Sequence, residues 1–205
     1  QLYGGHGKIG SAAYITVGTG IGVGLCTRGK SVRGLSHPEG GHLRVSRYTN
    51  PGKTGMDGKI LGVDGRDKYR GNCRFHSMDV KFPLSCVEGM ANSQAIADRL
   101  GITKKMLRNV PDSHEVWEME ACYLAQLCLS ITLLLSPEVI VIGGGVMNRE
   151  VLFPKIRKHF KGLLGGYLRS DLFDKDLDQY ITRSKFDKFG GSIHAGVVGG
   201  LELAR

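Results

Sequence analysis

No block of like charge runs through this chain of 205 residues, although 28 Lys and Arg against 19 Asp and Glu leave it at +9 with a pI near 9.4. Scattered cations do not build the continuous basic face that nucleic acid demands, and nucleotide phosphates account for the excess equally well. No secretory signal opens the chain and its five cysteines are odd in number, which argues against a disulfide framework and for a reducing, cytoplasmic setting. No apolar run is long enough for a bilayer: the most apolar one, residues 121–136, contains Gln126 and stops short, so no membrane is expected. Internal repeats and low-complexity tracts are absent as well.

Glycine is what the chain has in excess. Its 31 glycines are about twice the usual share. They cluster at 18–24, 40–41, 143–145, 165–166, 190–191 and 199–200, a pattern of tight turns and close backbone approach to ligands. A hydrophobic content of 41% is enough for one substantial core.

Residues 12–17 and 21–27 read as strands joined through a glycine turn, with Thr16, Val17 and Ile21 supplying the β-branched signal. A further strand is expected over 42–45. Residues 48–71 are polar and turn-rich, a long excursion. A helix is expected over 86–100, with Ala91, Ala95, Ile96 and Leu100 on one face, and another over 114–135, capped by Asp112 or Ser113. Residues 139–142, Val-Ile-Val-Ile, have the uninterrupted apolar character of a strand buried on both faces. A helix over 149–164, a strand over 180–186 and a helix over 192–203 complete an α/β order.

Four groups of residues carry chemistry. Gly18, Thr19, Gly20 and Gly22 form a turn whose N–H groups and hydroxyl suit a phosphate, though the same string serves a ligand-free hairpin. Gly143, Gly144 and Gly145 follow a buried strand and precede a helix, where α/β folds collect nucleotides; packing is the competing reason for three glycines. Glu39 and His42 stand in His37-Pro38-Glu39-Gly40-Gly41-His42, a loop that leaves the carboxylate free to accept from vicinal sugar hydroxyls. Cys73-x-x-His76 adds two metal-type donors to His42, and Cys86 completes a His2Cys2 set, with gaps looser than common zinc spacings. Glu88, near the start of a predicted helix, is by residue type alone an acid favoured by the helix dipole.

In this order the motifs resemble the ROK family of sugar kinases, fructokinase branch. The strings are residues 13–22, 37–42, Cys73-Arg74-Phe75-His76, Cys86-Val87-Glu88-Gly89 and residues 140–145. The resemblance implies an actin/hexokinase-like (ribonuclease H-like) ATPase fold, of which residues 1–205 are the C-terminal lobe and 37–90 a zinc- and sugar-binding segment within it. It implies ATP with Mg2+, structural Zn2+ and a hexose, most simply D-fructose converted to fructose 6-phosphate. Gly18, Thr19, Gly20 and Gly22 would hold phosphates, Gly143–Gly145 adenosine, and Glu39, His42 and Glu88 the sugar. His42, Cys73, His76 and Cys86 would hold zinc, and the complete protein would be a homodimer.

The family's D-x-G-G-T loop and the N-D motif that carries its catalytic base occur nowhere in these residues, so no catalytic residue is expected in this chain and the 205 residues alone are expected to be inactive. Nine residues separate His76 from Cys86, and Ala91-Asn92-Ser93 replaces Ala-Ser-Gly. A sugar-responsive repressor and a non-catalytic sugar- or zinc-binding pseudokinase are the competing readings.

Overall fold

The structure is a computed structural model, and it describes residues 9–50, 61, 65–76 and 85–184. The predicted helix over 192–203 and much of the 48–71 excursion lie outside the described residues.

A mixed five-stranded sheet organises the fold, in the spatial order β3-β2-β1-β4-β5. Its strands are β1 (Ser11–Val17), β2 (Ile21–Thr27), β3 (Lys30–Ser31), β4 (Val139–Gly143) and β5 (Ile181–Arg183). β1 and β2 form an antiparallel hairpin with Val17 opposite Ile21, so residues 18–20 are the whole connection. β4 runs parallel to β1, with Ile15 opposite Ile142, and β5 runs parallel to β4. Period-two alternation sends Ala13, Ile15 and Val17 into the core. The strand expected over 42–45 is instead a short 3-10 turn, Gly40–His42, followed by a single bridge from Arg44 to Cys86.

The helix expected over 86–100 is two helices, α1 (Val87–Ala91) and α2 (Ser93–Leu100). Asn92 makes the break. Its backbone is extended, its side-chain oxygen accepts from Ala95 N at 2.8 Å to cap α2, and its amide nitrogen donates to Asn72 Oδ1 at 2.7 Å.

The long core helix, α3 (Val116–Leu135), is capped by neither Asp112 nor Ser113. His114 Nδ1 accepts from Val116 N at 3.1 Å, and Asp112 is paired with Arg149. At 20 residues α3 is longer than the apolar run read from the sequence, and by length and composition it is apolar enough to cross a membrane. In this fold 56% of that apolar window is buried, with Trp117, Tyr123, Leu124 and Leu127 packed among Ile140, Ile142, Ile156 and Phe160. It ends at Ser136 in the left-handed region (φ 50°), just ahead of Pro137. After β4 come α4 (Leu152–Leu164), beside α3, then two single-turn helices, α5 (Asp171–Asp174) and α6 (Leu177–Tyr180).

One buried ion pair fixes the segment that leads into the candidate site. Arg99 Nη2 lies 2.7 Å from Asp67 Oδ2, with both side chains almost fully buried. Tyr123 donates to the same carboxylate oxygen at 2.7 Å and Tyr69 N to Oδ1 at 2.9 Å, while Arg99 Nη1 holds the Met90 and Ala95 carbonyls. The excursion is therefore fastened to α1, α2 and α3 at one point. Arg99→Ala strands the carboxylate without its counter-ion, and urea denaturation is expected to register a loss of about 3–5 kcal/mol. A loss below about 1 kcal/mol would mean that water replaces the guanidinium at no great cost.

Candidate functional site

The glycine turn is fixed from two sides. Gly18 N donates to Gly20 O at 2.9 Å within the turn, and Ser93 N, the first residue of α2, donates to Gly18 O at 2.8 Å. Ile21 N donates to Glu88 Oε2 at 2.9 Å. The carboxylate lies so close that a Cβ on Gly20 would meet it at 2.7 Å. Glu88 thus clasps the turn from α1, leaving Oε1 without a partner among the described residues. Thr19 is exposed at the tip.

The two glycines of the 37–42 string are required by packing. Gly41 rests on β2, where a Cβ would stand 2.0 Å from the Ile21 carbonyl oxygen, and Gly40 is against Val23. Only a residue without a side chain lets the 3-10 turn approach β2 this closely. That approach delivers His42. Its Nδ1 is 3.6 Å from Cys86 Sγ and 3.8 Å from Cys73 Sγ, and Cys73 Sγ is 3.6 Å from His76 Nδ1. All four donor atoms lie within 4.8 Å of one another. A tetrahedral zinc bound by thiolates at ~2.3 Å and imidazoles at ~2.0 Å has edges of roughly 3.3–3.8 Å. The three separations above come within a few tenths of an ångström of these, and the set as a whole, spread over up to 4.8 Å, is of a size to hold that ion after a small contraction. Burial pushes the Cys86 thiol up to about 11, and Cys86 also caps α1 by accepting from Gly89 N at 3.4 Å. With both imidazoles turned inward through Nδ1, the Nε2 of His42 is left for another partner.

Glu39 stands at the head of the same 3-10 turn. Its Oε1 meets His37 Nε2 at 2.6 Å, and more than half of its side chain is exposed.

Of the three glycines after β4, two are explained by packing. A Cβ on Gly143 would press on the Tyr14 hydroxyl at 2.6 Å, and Gly144 has φ +97° with its α-carbon against the Val17 backbone. Gly145 faces open space. It borders a cleft of about 940 Å³ that Gly18, Thr19 and Ser93 line on another side. The turn and the glycine loop are therefore brought together, while Glu39, His42 and Glu88 stand outside the lining of this cleft. Gly143 and Gly144 border a smaller cavity of about 220 Å³ beside Tyr14 and Arg183.

Sequence reasoning missed the far wall of the large cleft: Lys104, Lys105 and Arg108 on a 3-10 segment, with Trp117 and Arg149. Arg149 stacks over Trp117 at 4.2 Å and donates to the Leu107 carbonyl at 2.9 Å. The available signal was three cations in five residues just ahead of the only tryptophan.

The model of the ROK family matches residues 1–204. The chain belongs to the ROK family. It is 34% identical over 203 residues to a putative fructokinase of Bacillus subtilis, covering 99% of this chain and 58% of that one. It is 32% identical to a fructokinase of Pediococcus pentosaceus, covering 95% and 56%. A ROK family glucokinase from Streptomyces griseus, solved with glucose and AMPPNP, superimposes with a TM-score of 0.63 at 22% identity, covering 98% of this chain and 62% of that one. The ROK chain described here therefore spans a little over half the length of the curated relatives it matches. The likeness to the glucokinase establishes the fold, the actin-like ATPase fold that the motifs imply.

Gly41→Ala tests the delivery of His42. A methyl group against the Ile21 carbonyl is expected to cost about 3 kcal/mol in chemical denaturation and to disperse the donor cluster. Wild-type stability in this variant would mean that β2 yields to the 3-10 turn.

Proposed function

We propose that this chain carries the sugar-binding and nucleotide-binding elements of an ATP-dependent hexose kinase, with D-fructose converted to fructose 6-phosphate by the complete protein. The observation that carries the reading is the bond from Ile21 N to Glu88 Oε2. Through it, one short helix joins the turn at the cleft to the His2Cys2 cluster, because Cys86 and Glu88 sit at the same end of α1. Relatives that bear the name fructokinase support the substrate class.

In this reading Gly18, Thr19, Gly20 and Gly22 grip the terminal phosphates of ATP with its Mg2+, and Gly145 lies along the adenosine. Glu39, the free Nε2 of His42 and the free Oε1 of Glu88 hold sugar hydroxyls. Zinc binds His42, Cys73, His76 and Cys86; its part is to hold the 3-10 turn, the 73–76 segment and α1 as one rigid unit. Phosphoryl transfer is chiefly positioning and charge neutralisation, and it also needs a base on the attacking hydroxyl. The family's N-D motif is not among these 205 residues, so they are expected to bind both substrates without turning over.

Two measurements test the reading. Metal analysis of protein purified without chelators is expected to return about one zinc per chain, and Cys73→Ser to release it and lower the melting temperature. A metal-free protein whose stability ignores both chelator and Cys73→Ser would remove zinc. For the sugar, calorimetry with fructose is expected to weaken about ten- to a hundredfold in Glu39→Ala, since charge-assisted hydrogen bonds are worth roughly 1.5–3 kcal/mol each. AMP-PNP binding is expected to stay as it was. The reverse outcome would move Glu39 from the sugar to the nucleotide.

A further inference from the structure

The far wall of the large cleft holds an imbalance of charge. Its two acids are neutralised in place: Asp112 pairs with Arg149, and Glu150 with Arg183. Lys104, Lys105 and Arg108 border the same cleft and have no acidic partner among the described residues. Three uncompensated cations in a concave wall concentrate a positive field where Gly18 and Thr19 also face the cleft.

The segment that bears them is held. Its 3-10 backbone closes through Met106 N to Thr103 O at 2.9 Å and Val110 N to Leu107 O at 3.2 Å. Arg149 Nη2 holds the Leu107 and Arg108 carbonyls at 2.9 and 3.3 Å while its guanidinium lies on Trp117. The cations therefore project from a fixed backbone, which lowers the ordering cost of using them.

We infer that Lys104, Lys105 and Arg108 form an arm that complements the phosphate chain of the nucleotide, so that the cleft ranks nucleotides by their number of phosphates. This rests on the assignment of the cleft to ATP made above. The glycine turn supplies oriented N–H groups at one place; the arm supplies net charge, and charge scales with phosphate number.

Trp117 is the single tryptophan and lines this cleft, so its fluorescence reports occupancy directly. The 205-residue chain is titrated with ATP, ADP and AMP at low and moderate salt, with calorimetry in parallel. Wild-type affinity is expected to fall with each phosphate removed, and ATP binding to weaken as salt rises. The variant K104Q/K105Q/R108Q is expected to lose about tenfold or more for ATP and about twofold or less for AMP, with a flattened salt dependence. Lys105→Glu alone is expected to narrow the ATP-to-AMP ratio in the same sense, which guards against a triple variant that folds poorly. Variants that keep the wild-type ratio and salt dependence overturn the arm and leave the cleft assignment intact. A wild-type chain that binds no adenine nucleotide overturns the assignment itself, and the arm with it.

Discussion

Everything chemical in this fold is arranged around the contact between the β1–β2 turn and the junction of α1 and α2. Two backbone groups of the hairpin are satisfied there: Gly18 O by Ser93 N and Ile21 N by the Glu88 carboxylate. A turn of three residues cannot satisfy these groups itself, and leaving them buried and unpaired costs free energy. The helix break at Asn92 is what makes the contact geometrically available. A continuous helix through position 92 would tie the Ser93 N–H to a carbonyl one turn earlier and withdraw it from Gly18. Asn92 stops α1, restarts α2 and frees that donor at the turn.

The rest of the core holds this junction in place from behind. Asp67 and Arg99 are buried together, and the guanidinium spends its remaining donors on the Met90 and Ala95 carbonyls that flank the break. The pair thus stabilises the interrupted helix at the point where its own ladder is incomplete. Beside it, Glu120 is fully buried with neither oxygen hydrogen-bonded among the described residues, and burial raises its pKa well above the usual carboxylate range despite the nearby Arg99 charge. For such a group the neutral form is the one the fold prefers. Its contribution to stability is complete below the carboxylate pKa of the unfolded chain and is lost as pH rises through the folded value. Asp67, equally buried, has three hydrogen-bonding partners in Arg99, Tyr123 and the Tyr69 N–H; the two acids differ in what surrounds them, not in depth.

What could be read from the sequence was what period and spacing encode. β1, β2, β4, α3 and α4 follow from alternation, an apolar run and helical repeat, and their ends fall within a few residues of expectation. The His42, Cys73, His76 and Cys86 set was named from spacing that left metal and structural readings open, and their convergence needed the fold, because the chain between them is long. The break at Asn92 was hidden: asparagine sits inside an apolar helical pattern, and only the tertiary demand of Gly18 for a donor makes it a cap. The glycine loop after β4 was half legible. Packing against Tyr14 and Val17 gives Gly143 and Gly144 a structural reason, and of the three only Gly145 lines the large cleft. Lys104, Lys105 and Arg108 escaped notice because a short cationic run on a polar segment looks like a solvated face until the wall it belongs to is seen.

The two halves of the site are joined through one turn of helix, and this has a consequence for how ligands communicate. Cys86 belongs to the donor cluster and caps α1; Glu88, two residues on, holds the hairpin turn. An element of five residues has no internal hinge, so a shift at Cys86 is transmitted to Glu88 almost rigidly. Gly41 strengthens the coupling from the other direction, since the 3-10 turn that delivers His42 rests on the carbonyl of Ile21, whose N–H Glu88 accepts. The peptide units of Ile21 therefore feel both the cluster and the clasp. Ordering of the 37–42 segment and ordering of the 18–20 turn are then one event, because the same residue of β2 is held from both sides. Rigidity of that kind supplies positioning, which is what the phosphoryl transfer proposed above chiefly demands.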